Sequence, residues 1–217
     1  MNKKFFVIGN PIEHSLSPKL HNHWIKKNNL KASYDKKFLV QEEIQQLILD
    51  VREEKIHGLN VTVPFKKKII PFLDILSDDA KNSQSVNTIY KNNDQIIGDN
   101  TDIDGFKIGL EKTSQIIKNK EALILGAGGV APSIIIALKK MQISKIYLSN
   151  RTELKALEIK KLFPEIEIIE WGKISNFDII INATSIGLNN KDEINIDYKN
   201  ISQNKFFYDV IYNPKET

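Results

Sequence analysis

The sequence contains no cysteine, which excludes disulfides, thiolate metal sites and a cysteine nucleophile. No apolar run approaches the roughly 20 residues that cross a bilayer. Phe5-Phe6-Val7-Ile8 follows Lys3-Lys4 much as a signal peptide would, but the run is short and Asn10 and Pro11 break it. A cytoplasmic protein with no membrane partner is expected. An excess of one charge is also lacking: 31 Lys and Arg stand against 27 Asp and Glu, for a formal net charge of +4. That weak, interspersed bias suits small anionic ligands and offers no basic face for nucleic acid. The dense run Lys66-Lys67-Lys68 reads in part as a solvated face. His14, His21, His23 and His57 lack metal-ligand spacing. What is present is a chain of 217 residues, 41% hydrophobic, enough for one large domain or two modest ones.

The first half alternates short strands and helices. Strands are predicted at 4–8, 34–40 and 59–63. Ser17-Pro18 opens a helix, with Ser17 as its N-cap and Leu20, Trp24 and Ile25 as its apolar stripe. Ile44, Leu47, Ile48 and Val51 have helical spacing within 41–53. Segments 86–90 and 95–97 form a hairpin around Asn92-Asn93-Asp94. A helix is then predicted from about 102 to 118, connecting a first domain (1–101) to a second (102–217). From Glu121 the pattern becomes parallel α/β: strands at 122–125, 145–148, 166–169, 178–182 and 206–210, with helices near 130–141 and 154–162. Both tryptophans and the phenylalanines are most simply core residues.

The strand at 122–125 runs straight into Gly126-Ala127-Gly128-Gly129-Val130-Ala131, the strand-to-helix glycine turn of a dinucleotide fold. Gly126 permits the tight turn, Gly128 lets backbone approach a pyrophosphate, and Gly129 and Ala131 keep the helix close to the sheet. The pyrophosphate would sit on the helix N-terminus, where N–H groups and the helix dipole favour an anion. The next strand ends in Ser149-Asn150-Arg151-Thr152, with no carboxylate at its tip for a ribose diol. Arg151 offers a charged fork, and Asn150 and Thr152 neutral donors, for the 2′-phosphate of NADP. The plainer reading of Arg151 is a surface arginine, and of Thr152 a helix cap, with Glu153 beside them unfavourable to a phosphate.

The first half has its own polar clusters. Ser15 and Ser17 flank a helix start, where hydroxyls and amides can hold a carboxylate. Gly58-Leu59-Asn60-Val61-Thr62-Val63-Pro64-Phe65-Lys66 puts Asn60, Thr62 and Lys66 at a strand end, and Ser85-Val86-Asn87-Thr88 and Gly98-Asp99-Asn100-Thr101-Asp102 follow. Together with the glycine turn, the Asn150-Arg151-Thr152 tip, Asn182-Ala183-Thr184-Ser185-Ile186-Gly187 and Asp209-Val210-Ile211-Tyr212-Asn213-Pro214, these segments resemble the shikimate dehydrogenases in order and spacing. The resemblance covers essentially the whole chain. It implies an N-terminal α/β substrate-binding domain, a Rossmann-type doubly wound NADP-binding domain, and reduction of 3-dehydroshikimate with NADPH.

Carried over by position, the resemblance makes Lys66 and Asp102 the catalytic pair. Ser15 and Ser17 hold the substrate carboxylate, and Asn60, Thr62, Asn87 and Tyr212 meet its other polar groups. Gly126, Ala127, Gly128, Gly129, Val130, Ala131, Asn150, Arg151 and Thr152 hold NADP(H), with Thr184 and Ser185 on the nicotinamide side. A homodimer is a further expectation. The chain departs from the family at Pro132, where a basic residue is common, and at Thr217, beyond which family members continue for several dozen residues. A quinate-using enzyme of the same fold is the near alternative. A non-catalytic NADP or shikimate binder is the alternative of a different class, and intact Lys66 and Asp102 argue against it. Asn100, Asp102, Asp104 and Glu111 also fall near calcium-loop offsets, but the preceding segment reads as strand where such a loop needs a helix, and no metal is expected.

Overall fold

The computed structural model describes residues 2–174, 177–188, 194, 201–202, 204–212 and 214. The chain divides into two compact units, Met1–Ile103 and Asp104–Thr217. Among the described residues, no helix is long and apolar enough to cross a membrane.

The first unit is built on a six-stranded mixed sheet in the order β2-β1-β3-β5-β6-β4. Its strands are β1 (Lys3–Gly9), β2 (Ala32–Phe38), β3 (Gly58–Val61), β4 (Ile75–Leu76), β5 (Thr88–Asn92) and β6 (Gln95–Asp99). β1 is parallel to β2 and β3, whereas β5 runs antiparallel to β3 and β6. Its helices are α1 (Ser17–Lys27), α2 (Ile44–Arg52) and α3 (Asp78–Ser83). The period-matched residues of α2, Ile44, Leu47, Ile48 and Val51, are all buried, in one core with Ile8, Leu59, Phe65 and Ile89. The hairpin turns through Asn93 at φ +53°, a conformation that asparagine tolerates better than most residues.

Three local expectations fail here. Leu16, not Ser17, is the N-cap of α1, and it provides no side-chain cap bond; Ser17 is already helical. The cap-like contact comes from two residues earlier, where the Ser17 N–H donates to Ser15 Oγ. The α1 stripe is not core either: Leu20 and Trp24 are 48% and 47% exposed. Ile25 alone of the three packs inward, against the small cluster of Val7, Ile12 and Tyr34. Phe38 likewise lies 51% exposed at the end of an edge strand.

The second unit carries a wholly parallel five-stranded sheet, β11-β10-β7-β8-β9. Its strands are β7 (Glu121–Leu125), β8 (Lys145–Ser149), β9 (Glu167–Ile168), β10 (Ile179–Asn182) and β11 (Phe206–Asp209). Such strands are covered on both faces, and β7 is accordingly buried from Ala122 to Leu125. Helices α5 (Ala131–Lys140) and α6 (Glu153–Leu162) follow β7 and β8. Pro132 lies in the first turn of α5, where its missing N–H costs no helical bond. The chain leaves β7 toward β8 on one side and returns as β10 on the other, so β7 and β10 flank the topological switch point. The connecting helix α4 (Asp102–Glu111) is shorter than its apolar pattern suggests. It gives way to turns, with Ser114 at φ +59°, and Ile116 beyond it is 76% exposed.

Candidate active site

In the first unit, the backbone holds the polar segments together at the strand ends. The Thr62 N–H donates to the Ile8 carbonyl, Val61 N–H to Asn87, Val86 N–H to Lys66, and Asn87 N–H to Asp99. The turn after β3 buries Phe65 and Ile69 to 2% and 0% exposure. That alternation sorts the lysine run: Lys67 and Lys68 face solvent, while Lys66 is half-buried.

Lys66 Nζ donates to Asp102 Oδ2 at 2.6 Å, and the two side chains are only 14% and 26% exposed. The other oxygen, Asp102 Oδ1, accepts from Asn87 Nδ2 at 2.8 Å. The Asp102 backbone N–H donates to Asn100 Oδ1, and buried Asn100 is anchored by donating to Ser83 Oγ and the Ser85 carbonyl. Lys66 is thus a cation oriented by a carboxylate whose own rotation is fixed. Neutral groups surround the pair. Asn60 Nδ2 donates to the Asn87 carbonyl and to Thr88 Oγ1, and Thr88 Oγ1 donates to Asn87 Oδ1.

Sequence reasoning missed Tyr34, Thr88 and Asn100. Tyr34 stacks on His21 with ring centroids 4.1 Å apart, and its hydroxyl donates to Asn60 Oδ1 at 2.6 Å. Burial pushes its phenol well above the ordinary range, and a hydrogen bond from Ser17 offsets part of that rise. Ser17, Tyr34, Asn60, Thr88, Asn87, Asp102 and Lys66 therefore form one continuous side-chain network. Ser15 lies at its margin, accepting from the Ser17 N–H, while Thr62 sets its Cγ2 against Gly9.

In the second unit, the glycine turn leaves β7 at Gly126, whose φ of +104° only glycine adopts readily. A Cβ there would lie 2.9 Å from the Ala183 backbone, whereas one at Gly128 would find nothing nearer than the Ala183 carbonyl at 3.8 Å. Room beside Gly128 at the N-terminal end of α5 fits a pyrophosphate approaching the backbone. Two predicted cofactor residues have closer employment. The Ala127 N–H donates to Asn150 Oδ1, and Asn150 Nδ2 donates to the Thr152 carbonyl, so Asn150 braces the glycine turn against the tip of β8. Thr152 sits at the N-cap of α6 without a side-chain cap bond. Arg151 is exposed, the cation of the tip. After β10, the Thr184 hydroxyl donates to Asn182 Oδ1 and accepts from the Ile186 N–H, while Ser185 stays exposed. Tyr212 is 72% exposed; Asn213, from the same predicted motif, lies outside the described residues. Among the described residues, no cluster of His, Asp and Glu could hold a metal ion.

Comparison with known proteins finds matches for both halves of the chain. Residues 7–89 match the family described as shikimate dehydrogenase substrate binding domain, and residues 109–215 match shikimate / quinate 5-dehydrogenase. The chain is 71% identical over 217 residues to the shikimate dehydrogenase (NADP(+)) of Pelagibacter ubique (strain HTCC1062), covering all of this chain and 82% of that one. It is 37% identical to the enzyme of the same name from Staphylococcus haemolyticus, over 99% of this chain and 80% of that one. The crystal structure of shikimate dehydrogenase from Aquifex aeolicus superposes with a TM-score of 0.88 at 36% identity, over 97% of this chain and 79% of that one. That of shikimate 5-dehydrogenase from Thermus thermophilus in complex with NADP(H) and shikimate gives 0.88 at 28% identity, over 98% and 80%. With a substrate-binding domain in front of a Rossmann-like α/β domain, and these matches along nearly its whole length, the chain belongs to the shikimate dehydrogenase family.

Proposed function

We propose that this chain catalyses the reversible reduction of 3-dehydroshikimate to shikimate with NADPH, a step of chorismate and aromatic amino acid biosynthesis in the cytoplasm. The observation that carries the reading is the Lys66–Asp102 pair: one oriented cation, 14% exposed, among neutral hydrogen-bonding side chains. A ketone that receives a hydride develops negative charge on oxygen, and a positioned cationic acid stabilises that charge. NADPH, when bound, supplies the hydride to the ketone carbon. Lys66 Nζ meets the ketone oxygen and delivers the proton that completes the hydroxyl. Asp102 holds Nζ in place, and in the reverse direction the neutral amine of Lys66 takes the hydroxyl proton. Ser15 and Ser17 hold the substrate carboxylate, and Asn60, Thr62, Asn87 and Tyr212 its hydroxyls. Neutral donors do this without leaving an unpaired charge in the site.

For the cofactor, Gly126, Ala127, Gly128, Gly129, Val130 and Ala131 cradle the pyrophosphate. Arg151, with Asn150 and Thr152, takes the 2′-phosphate, and Thr184 and Ser185 line the nicotinamide side. The lack of a carboxylate at the tip of β8, Ser149-Asn150-Arg151-Thr152, favours NADP over NAD. The protein acts as a homodimer, which sedimentation of the purified chain would check. The functional test is the initial rate of NADP⁺ reduction, followed by near-ultraviolet absorbance, with shikimate and quinate in turn. Turnover with shikimate and NADP⁺, and little with quinate or NAD⁺, is expected. A preference for quinate would reassign the substrate, and a preference for NAD⁺ would remove the role given to Arg151.

A further inference from the structure

We infer that Asp209, through Asn182, sets the shape of the loop that walls the glycine turn and is a positioning residue for NADP(H) binding. The inference rests on the NADP reading of that turn. Asn182 and Asp209 are register partners, each the last residue of its strand in the parallel pair β10 and β11. Asn182 Nδ2 donates to Asp209 Oδ2 at 3.0 Å and to the Ile186 carbonyl at 3.1 Å. Asn182 Oδ1 accepts from the Thr184 N–H at 3.0 Å and the Thr184 hydroxyl at 2.7 Å. A side-chain amide has two N–H hydrogens and two lone pairs. All four are used, three of them on residues 184 and 186. The Thr184 hydroxyl passes the constraint on by accepting from the Ile186 N–H.

The loop's conformation therefore depends on one orientation of one amide. Flipped, Asn182 would set its NH₂ against the Thr184 N–H and its oxygen against the Ile186 carbonyl. The Asp209 carboxylate selects between the two, because its oxygens accept and so require Nδ2 to face them. Asp209 is itself held, since its Oδ1 accepts from the Ile211 N–H at 2.8 Å. The position of the loop matters for the cofactor because its Ala183 carbonyl lies 2.9 Å from a Cβ built on Gly126. A shift of the loop moves the wall of the turn.

Asp209→Asn keeps the volume but places an NH₂ against either Asn182 Nδ2 or the Ile211 N–H, both donors. Dissociation constants for NADPH come from fluorescence titration of the full chain, with near-ultraviolet circular dichroism establishing that each variant is folded. The expected result is that D209N binds NADPH roughly tenfold more weakly, the value of one charge-assisted hydrogen bond. The exchange N182D/D209N restores the carboxylate–amide contact and keeps acceptors for Thr184 and Ile211, but gives up the donor to the Ile186 carbonyl. It is expected to recover part of the affinity, and it carries the test if D209N alone fails to fold. A purely structural role would lower Tm and leave binding by the folded protein unchanged. D209N binding within twofold of wild type would overturn the inference, as would a folded exchange variant no better than D209N. Wild-type protein that fails to bind NADPH would instead sink the NADP reading, and this inference with it.

Discussion

Replacing Asp102 by Asn alters the site by little more than one charge, so its effect can be worked out closely. Asp102 accepts from Lys66 Nζ at 2.6 Å on one oxygen and from Asn87 Nδ2 at 2.8 Å on the other. An asparagine cannot satisfy both, because whichever way its amide turns, one NH₂ faces a donor. Asn87 is held on its far side by Thr88 Oγ1 and the Thr101 N–H, so the amide settles against Asn87 only by giving up Lys66. Both side chains of the ion pair are less than a third exposed, so solvent screening takes away little. Loss of a hydrogen bond between charged groups costs about 2–3 kcal/mol, or roughly 30- to 150-fold in a rate constant. The assay is kcat/KM for shikimate at saturating NADP⁺, with NADPH affinity measured alongside. D102N is expected to lose activity in that range and to bind NADPH as wild type does. Activity within threefold of wild type would refute the reasoning, because Lys66 would then act without its carboxylate.

Gly126→Ala adds a Cβ 2.9 Å from the Ala183 backbone at a φ of +104°. Strain of about 1–3 kcal/mol is expected, read as a fall in Tm of several degrees together with weaker NADPH binding. Arg151→Ala should raise KM for NADP⁺ about tenfold and leave KM for NAD⁺ nearly unchanged, which steady-state kinetics with both cofactors will separate. His21 provides a pH test. Burial lowers its pKa below the ordinary 6.5, so between the two values the unfolded chain binds the proton that the folded chain refuses. Its stability contribution is present above pH 6.5 and declines as pH falls from there toward the folded value. Tm should therefore drop on acidification from pH 7.5 to about 5.5, and drop less in His21→Phe, which keeps the ring against Tyr34.

Segments whose local chemistry agrees with their tertiary setting are readable from sequence. The apolar period of α2, the Asn93 turn and the β7–glycine–α5 unit each carry their own signal over a few consecutive residues. Short or unpatterned elements do not. α3 is a six-residue helix whose start is set by Ser77 Oγ accepting from the Ala80 N–H, and β4 is only two residues long. The apolar pattern overstates the connecting helix because Ile116 and Ile117 continue it past the point where Ser114 adopts a left-handed conformation. Ser17 is not the cap because Leu16 enters the helix in the αR region, which moves the boundary one residue earlier. Motif order singles out Lys66 and Asp102, but the partners that hold them cannot be read along the chain. Asn100, Thr88 and Tyr34 reach the network from different strands and loops, and only the fold makes them neighbours. The same holds for Asn150: its residue type suggests a ligand donor, and its bonds to Ala127 and Thr152 add a bracing role that no reading along the chain could supply.

We propose Lys66 as the group that gives and takes the proton in hydride transfer between NADP(H) and the substrate. The most direct test compares wild type and Lys66→Ala in shikimate-dependent NADP⁺ reduction, with both ligands saturating and NADPH binding measured in parallel. The expected result is turnover by wild type and a loss of about 10²- to 10⁴-fold in kcat for K66A, with NADPH affinity intact. Contradiction would come from a K66A variant that turns over at the wild-type rate, or from wild-type protein that binds both ligands and transfers no hydride.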